Sequence, residues 1–432
     1  MTIYICSPFD KMSQIMKGFK RLWVILVGLV LGSLPVYLFA DEPVIIDHPL
    51  ESYSRIDEIV WHGFFSQNFI ASDENNYLGS SSDGSFKSNE AALNASWLAT
   101  ESLQFSLQGL YKQTGNSKPK GGRLDYAIAD WRILDNFSRV AGVRLGRLKN
   151  PYGFFNETRD VAATNISILL PQSIYIDYLS QLIHSSDSMG FYGHSELDKG
   201  TLAFNVQYGR PILNEDVTRS IVASGSSTGE FSDERAFFAR LSYEDASGLW
   251  RTALMYTNFR GHFDPGPNDF LLRLSEGKLN VDLFIWSLEF NVHDLQITTE
   301  IQRRNIHLDE IYPFDIKEQN LSYYLQFAYN FSTAFKVYVR RDEAFRFKDD
   351  KHGKSYIDDS KAINPATETQ FHSAFAKDTT LGFRYSPSFE WSFAMEVHQI
   401  DGTYWLPDLE NRDVQNQKRY WNMFLAQIAY RF

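Results

Sequence analysis

The sequence predicts an all-β chain: a transmembrane antiparallel up-and-down β-barrel of about 16 strands, with 18 the alternative count. Three observations predict it. Apolar and polar residues alternate with period two along many segments, the connections between those segments alternate between short and long, and beyond residue 40 no run of 18 apolar residues offers a helical span. Phe, Trp and Tyr make up 15% of the residues, an excess that interfacial aromatic girdles and strand-rich folds both produce.

The alternation is clearest late in the chain. Leu321, Tyr323, Leu325, Phe327 and Tyr329 fall on one face of an extended segment, with Ser322, Tyr324, Gln326, Ala328 and Asn330 on the other. Phe389, Trp391, Phe393, Met395 and Val397 repeat the pattern. Successive side chains of a strand point to opposite faces, so each segment has one greasy and one wet surface. A soluble β-sandwich makes the same pattern. Segment length and loop rhythm separate the two.

The segments, each roughly 10 to 13 residues, match what a tilted strand needs to cross a bilayer. In chain order they centre on Phe64, Leu93, Leu107, Ala127, Val143, Phe191, Phe204 and Ala239, then Leu254, Trp286, Thr299, Gln326, Val337, Gly382, Phe393 and Leu425. Tight turns are expected near Thr100–Glu101, Leu134–Asn136, Asp198–Gly200, Ala246–Ser247, Val292–His293, Ser332 and Pro387. The intervening connections are long, the longest running over 149–186 and 344–376. An even strand count with both ends on the short-turn side follows, and a sandwich has no reason for that rhythm.

Ahead of the barrel, Lys17, Lys20 and Arg21 precede an apolar run from Leu22 to Phe39, and Ala40 gives way to Asp41 and Glu42. That reads as a secretory signal over 1–40, with an upstream start extension before Met16, and a short periplasmic segment over 41–57 ahead of the barrel at 58–432. A membrane anchor is the alternative reading of the run. The single cysteine, Cys6, lies in the leader, so the remaining chain forms no disulfide. Without the leader's four basic residues and one acid, 38 Lys+Arg stand against 52 Asp+Glu, a net charge of −14 that disfavours nucleic acid as a partner.

The last strand runs Phe424, Leu425, Ala426, Gln427, Ile428, Ala429, Tyr430, Arg431, Phe432. A strand closing on a terminal Phe resembles the assembly signal of Gram-negative outer-membrane barrels. Sixteen strands with a long loop after the fifth resemble porins. Gly146, Arg147, Leu148, Lys149, Asn150, Pro151, Tyr152 and Gly153 are similar to the strand-five exit of anion-selective and general porins. The resemblance implies export to the outer membrane, contact with outer-membrane lipid and lipopolysaccharide, recognition by the barrel-assembly machinery through Tyr430 and Phe432, and a homotrimer. It also implies an inward-folded loop narrowing a water-filled channel for passive diffusion of small hydrophilic solutes or ions.

Sixteen strands enclose a lumen too wide for side chains alone to fill. The loop over 149–186 has an apolar centre, Ile166, Ile168, Leu169, Leu170 and Pro171, suited to packing on the inner wall. Its polar residues Glu157, Arg159, Asp160 and Asp177, together with Asp187, are then expected to face the opening. Period two turns Arg144, Arg240, Lys336, Arg340 and Arg384 inward, and Arg147 and Lys149 stand at the loop's entrance. A basic wall facing an acidic loop would make a transverse field that screens solutes by charge. Solvated lumen charges are the plainer reading.

Catalytic, cofactor and metal motifs are absent: no His-Glu-x-x-His, no phosphate loop, no dinucleotide fingerprint. Gly225, Ser226, Ser227, Thr228, Gly229 has the spacing of a hydrolase elbow, in a loop of small polar residues without the strand and helix that strain the serine. The rivals to a pore are an outer-membrane barrel hydrolase, for which His194 and Ser195 are the neighbouring pair, and a loop-closed specific channel or receptor.

Overall fold

The computed structural model describes residues 58–116, 121–177, 183–212, 218, 222, 227–313, 315–363, 369–407 and 409–432. The predicted leader over 1–40 and the segment 41–57 lie outside the described residues. Sixteen antiparallel strands close into one barrel. They are β1 (Ile59–Ser72), β2 (Ser85–Thr100), β3 (Leu103–Thr114), β4 (Gly121–Asn136), β5 (Arg139–Lys149), β6 (Ser185–Leu197), β7 (Gly200–Pro211) and β8 (Glu230–Asp245). The second half comprises β9 (Trp250–Asp264), β10 (Gly277–Val292), β11 (Leu295–Asp309), β12 (Ile316–Asn330), β13 (Phe335–Phe345), β14 (Phe375–Tyr385), β15 (Trp391–Gly402) and β16 (Tyr420–Arg431).

Each strand pairs with its sequence neighbours, and β1 pairs with β16 from Phe64↔Arg431 to Ser72↔Met423. No edge is left to expose unpaired backbone groups, which is what hydrocarbon demands. At the seam the Phe432 and Gly63 main chains exchange hydrogen bonds of 3.0 and 3.1 Å. The Phe432 ring occupies the space where a Cβ on Gly63 would come within 2.5 Å of it, and Tyr430 packs on Trp391 with ring centroids 4.8 Å apart.

All sixteen expected centres fall inside their strands. Strand length is underestimated, since β5 has 11 residues but β2 and β10 have 16. The additional residues continue the ladder past the greasy band: on β10 the outward series begins Lys278, Asn280, Asp282 before reaching Phe284 and Trp286. The β4–β5 turn falls at 137–138, beyond the expected Leu134–Asn136, because Asn136 Oδ1 accepts from the Ser138 and Arg139 N–H groups at 3.2 and 2.9 Å and so closes the turn one step later.

The outward faces carry the exposed large apolar residues, among them Leu254, Trp286, Ile301, Leu325 and Phe393. The inward faces of β8–β12 form a buried apolar cluster that includes Phe238, Met255, Phe259, Leu283 and Ile285. A second cluster joins Ile70 and Leu425 to Tyr77, Trp405 and Trp421. A helix, α1 (Lys354–Ile363), follows β13; Asp350 accepts from the N–H groups of Lys354, Ser355 and Tyr356 at its start.

Candidate functional site within the lumen

The described residues of the segment 150–184, which are 150–177 and 183–184, enter the barrel rather than standing above it. Two buried asparagines make the inward turn. Asn150 donates to Ile183 O at 3.1 Å and accepts from Ser186 and Gln207, while Asn156 donates to Asn150 O at 2.9 Å and Ile183 O at 3.0 Å. Gly153 follows with φ +58°, and a Cβ there would lie 2.1 Å from the Tyr175 hydroxyl. Only glycine fits both the left-handed backbone and the tyrosine.

On the far wall, charged residues from β11 to β15 hold the main chain of the segment. Glu300 accepts from Phe154 N at 2.9 Å, Tyr175 Oη at 2.7 Å and Tyr324 Oη at 3.1 Å. Asp342 accepts from Ser173 N at 3.2 Å, and Glu396 accepts from Ile168 N, from Leu169 N at 3.3 Å and from the Tyr338 hydroxyl. Arg340 donates to Leu169 O at 3.1 Å, and Arg384 to Ile166 O at 3.2 Å and Ser167 O at 3.3 Å. Apolar contacts lie between these ties. Leu170, Ile174 and Tyr175 join the β8–β12 cluster, and Leu169 joins the second. A buried backbone amide or carbonyl needs a partner, and these wall charges supply it where no strand can.

On the near wall a bulge sets the chemistry. The β3–β4 register shifts where Gln108 pairs with Tyr126 and Gly109 with Leu124, leaving Asp125 between them turned inward. It meets Lys149 Nζ at 2.8 Å and His184 Nε2 at 2.8 Å. Asp160 from the loop completes the group, 2.6 Å from Lys149 Nζ, 2.8 Å from His184 Nε2 and 3.5 Å from Lys112 Nζ. Burial opposes the charge of Asp160, but His184, Lys149 and Lys112 outweigh it and hold the carboxyl well below its usual range. The ligand atoms of Asp125, Asp160 and His184 lie within 4.8 Å of one another, as a metal would require. The Lys149 ammonium already stands among them.

The architecture has counterparts among solved structures. The outer-membrane channel DcaP of Acinetobacter baumannii superimposes with a TM-score of 0.54 at 12% identity, over 87% of this chain and 98% of that one. OmpT, an outer-membrane protein of Vibrio cholerae, in its trimer form, gives 0.53 at 13% identity over 88% and 100%. The anion-selective porin from Comamonas acidovorans gives 0.52 at 13% over 87% and 100%. The chain has the fold of a porin-like barrel. No family model matches the sequence, and no curated protein matches it.

Within the barrel the predicted residues separate by what they meet. Arg144, Arg240, Glu157 and Lys336 retain some exposure inside. Arg144 is paired with Asp130 at 2.8 Å and covers the Tyr192 ring at 4.0 Å, and Arg240 reaches across to Glu157 at 2.6 Å and to Gly153 O at 3.3 Å. Lys336 is the inward neighbour of Arg384. Arg340 and Arg384 are buried under the loop, because its carbonyls recruit them; they clamp main chain instead of facing an opening. Lys149 and Asp160 are locked in the near-wall cluster, and Arg159 pairs with Asp177 at 3.1 Å within the loop. Arg147 and Asp187 are corrections: Arg147 shares the outward face of Leu145 and binds its cross-strand neighbour Asp187 at 2.8 and 3.1 Å on the outside of the wall, so neither faces the opening. The transverse field of a basic wall against an acidic loop is therefore not the arrangement found, since loop and wall charges are largely paired to each other.

A polar crevice of ≈ 50 Å³ remains beside the docked loop, where Glu90, Lys112, Arg159 and Asp177 meet. Below it the inward faces of β2–β7 stay partly exposed, with Asn94, Ser96, Gln104, Ser106, Tyr192 and Asn205 among them. His194 and Ser195 are consecutive on β6 and so point to opposite faces, which prevents them from acting together. Ser227 of the elbow-like stretch donates to Asp269 at 2.7 Å, and the Thr228, Gly229 and Gly266 N–H groups bind the same carboxylate. Gly225 and Ser226 lie outside the described residues. Sequence reasoning missed Glu300, Asp342, Glu396 and Asp125. The first three carried a signal, as carboxylates on the inward face of strands otherwise read as wall.

Proposed function

We propose that the chain is an outer-membrane pore through which small hydrophilic solutes or ions diffuse passively, narrowed by the segment 150–184. The carrying observation is the asymmetry of the inner wall. The loop is fastened to one side by buried apolar contacts and charged anchors, while the opposite side, β2–β7, keeps a polar, partly exposed lining that water can wet. Passage then runs in the crescent between loop and near wall, with Glu90, Lys112, Arg159, Asp177, Arg240 and Glu157 bordering its narrow part. Arg144 and Lys336 belong to the wider vestibule on the short-turn side. The reading includes a cleaved leader, no chemistry on the solute and no cofactor.

A homotrimer belongs to the same proposal. The outward positions Ala91, Ala95, Ala127, Ala129 and Ala141 on β2, β4 and β5 give a low surface for a second copy, and the Vibrio cholerae neighbour is described in a trimer form. The terminal Tyr430 and Phe432 serve recognition by the assembly machinery. Reconstitution of the purified full chain into planar bilayers tests the pore: stepwise ohmic currents are expected. A membrane that stays sealed, with lipid or peptide hydrolysis by the same preparation, would overturn it in favour of an enzyme.

A further inference from the structure

On the outside of the barrel wall, β11 ends with His307 and Asp309, two positions apart and so on the same face of the strand. The ladder to β12 runs His307↔Lys317 and Leu308↔Ile316, which brings Asp315 back beside Asp309 as the chain returns. Leu308 and Ile316 turn inward into the apolar cluster of β8–β12, so alternation turns the other three away from the lumen. The return is pinned. Glu310 has a left-handed φ of +63°, Ile311 is fully buried in the same cluster, and Ser275 donates from its N–H to Ile311 O at 3.0 Å and from its hydroxyl to Glu310 O. Two strand ends and one fixed turn therefore deliver His307, Asp309 and Asp315.

One atom of each lies within 4.8 Å of the other two. His307 Nε2 is shut off from solvent and has no hydrogen-bond partner among the described residues. Asp315 Oδ2 stands 3.8 Å from it, too far for a hydrogen bond and close to the about 3.4 Å that separates two ligands of a four-coordinate zinc. The neighbouring cations do not fill the gap. Lys278 is the cross-strand partner of Asp309 and Lys317 that of His307, yet neither ammonium pairs with Asp309 or Asp315 among the described residues. Glu318 stays out of the group, since it faces inward and holds Arg346 at 2.7 Å. The partly exposed His307 ring and the half-exposed Asp315 leave an ion a way in.

We infer that His307, Asp309 and Asp315 bind a zinc-class divalent cation at the loop end of the β11–β12 hairpin, through Nε2 and one oxygen of each carboxylate, with a fourth position open to water. An imidazole nitrogen favours zinc and its first-row neighbours over calcium and magnesium, which prefer all-oxygen sets. The bound ion supplies the positive centre that the orphaned nitrogen and the two carboxylates share, and it staples the end of β11 to the start of β12. A second imidazole on this wall, His262, provides the contrast: its Nε2 is already engaged by Glu276 at 2.9 Å, with Asp264 at 3.7 Å. The site lies outside the lumen, so the inference does not rest on solute conduction.

The test dialyses the full chain, purified in detergent and stripped with a chelator, against micromolar zinc chloride and counts bound metal per barrel by mass spectrometry. Wild type is expected to retain one ion. His307→Gln and Asp309→Asn should each weaken binding about tenfold or more, since even the outer-shell partners of a metal are worth that much. Lys278→Gln removes positive charge beside Asp309 and should tighten binding about threefold. His262→Gln is expected to leave it unchanged. The compact barrel on unheated gels, expected in every variant, separates lost binding from lost folding, and Asp315→Asn in the turn replaces Asp309→Asn should the strand position disturb the barrel. No zinc on wild type, an ion that survives His307→Gln, equal loss in His262→Gln, or displacement by an equal concentration of calcium would each overturn the site. Bilayer conductance of the same preparations reads the pore separately: a sealed membrane with bound zinc would end the pore reading and leave this one standing.

Discussion

Two halves of the same inner wall have become different materials. From β8 through β16 the inward residues include Met255, Phe259, Leu283 and Ile285, with Glu300, Asp342 and Glu396 set among apolar and aromatic neighbours. From β2 to β7 they include Asn94, Ser96, Gln104, Ser106 and Asn205. The backbone ladder is the same in both. The first half is a protein core that lacks only a lid, and the segment 150–184 supplies it; the second half is a surface meant to stay wet. A wide barrel can thus obtain a constriction by making part of its lining greasy enough to bind a loop.

The largest break of this contrast comes from Leu169→Asp with Leu170→Asp. Two uncompensated charges in buried positions cost several kcal/mol each, so the loop should leave the far wall. Single-channel conductance is expected to rise severalfold while the barrel keeps its strand circular dichroism. Glu300→Ala removes one anchor and orphans the Phe154, Tyr175 and Tyr324 donors, at on the order of 1–3 kcal/mol for each. The temperature at which the compact barrel is lost in heated gel samples should fall, with added current noise. Gly153→Ala forces a Cβ against Tyr175 and a left-handed backbone, for about 1–3 kcal/mol. Its midpoint should fall less than that of Glu300→Ala.

The near wall gives smaller effects. Asp160 has a folded pKa depressed below the unfolded value of about 3.9, so its contribution to stability is complete above that value and is lost as pH falls through the lower folded one. Wild type should hold a flat unfolding midpoint down to about pH 4 as far as this group is concerned. Asp160→Asn should lower the midpoint at neutral pH and flatten the acid limb; an unchanged limb would remove Asp160 from the account. Arg144→Gln, already neutralised by Asp130 and half-exposed, should cost about 1 kcal/mol or less. Its signature is a shift of reversal potential toward cations, with only that small change in stability.

The architecture was readable because period two, aromatic content and the rhythm of short and long connections are local properties. Each of the sixteen centres landed in its strand on that basis. Facing was readable too, and Arg147 shows the rule applied unevenly: with Leu145 outward, alternation already puts Arg147 outside. What local pattern does not contain is a partner distant in sequence. Arg340 and Arg384 were read as free lumen charges because nothing near them in sequence shows that loop carbonyls 166–169 will arrive beside them. Asp125 needed the β3–β4 bulge, whose position depends on how two strands settle against each other. The Asn150 and Asn156 pair looked like ordinary loop polarity until their partners across the loop were seen.

The anchors on the far wall grip main-chain groups at Phe154, Ile168, Leu169 and Ser173, and amides and carbonyls are common to nearly all residues. Side chains pointing from the free margin of that segment toward the crescent can therefore change identity without loosening its mooring. As the proposed pore, such a chain can drift in what it admits by a few substitutions along one rim while its framework stays put.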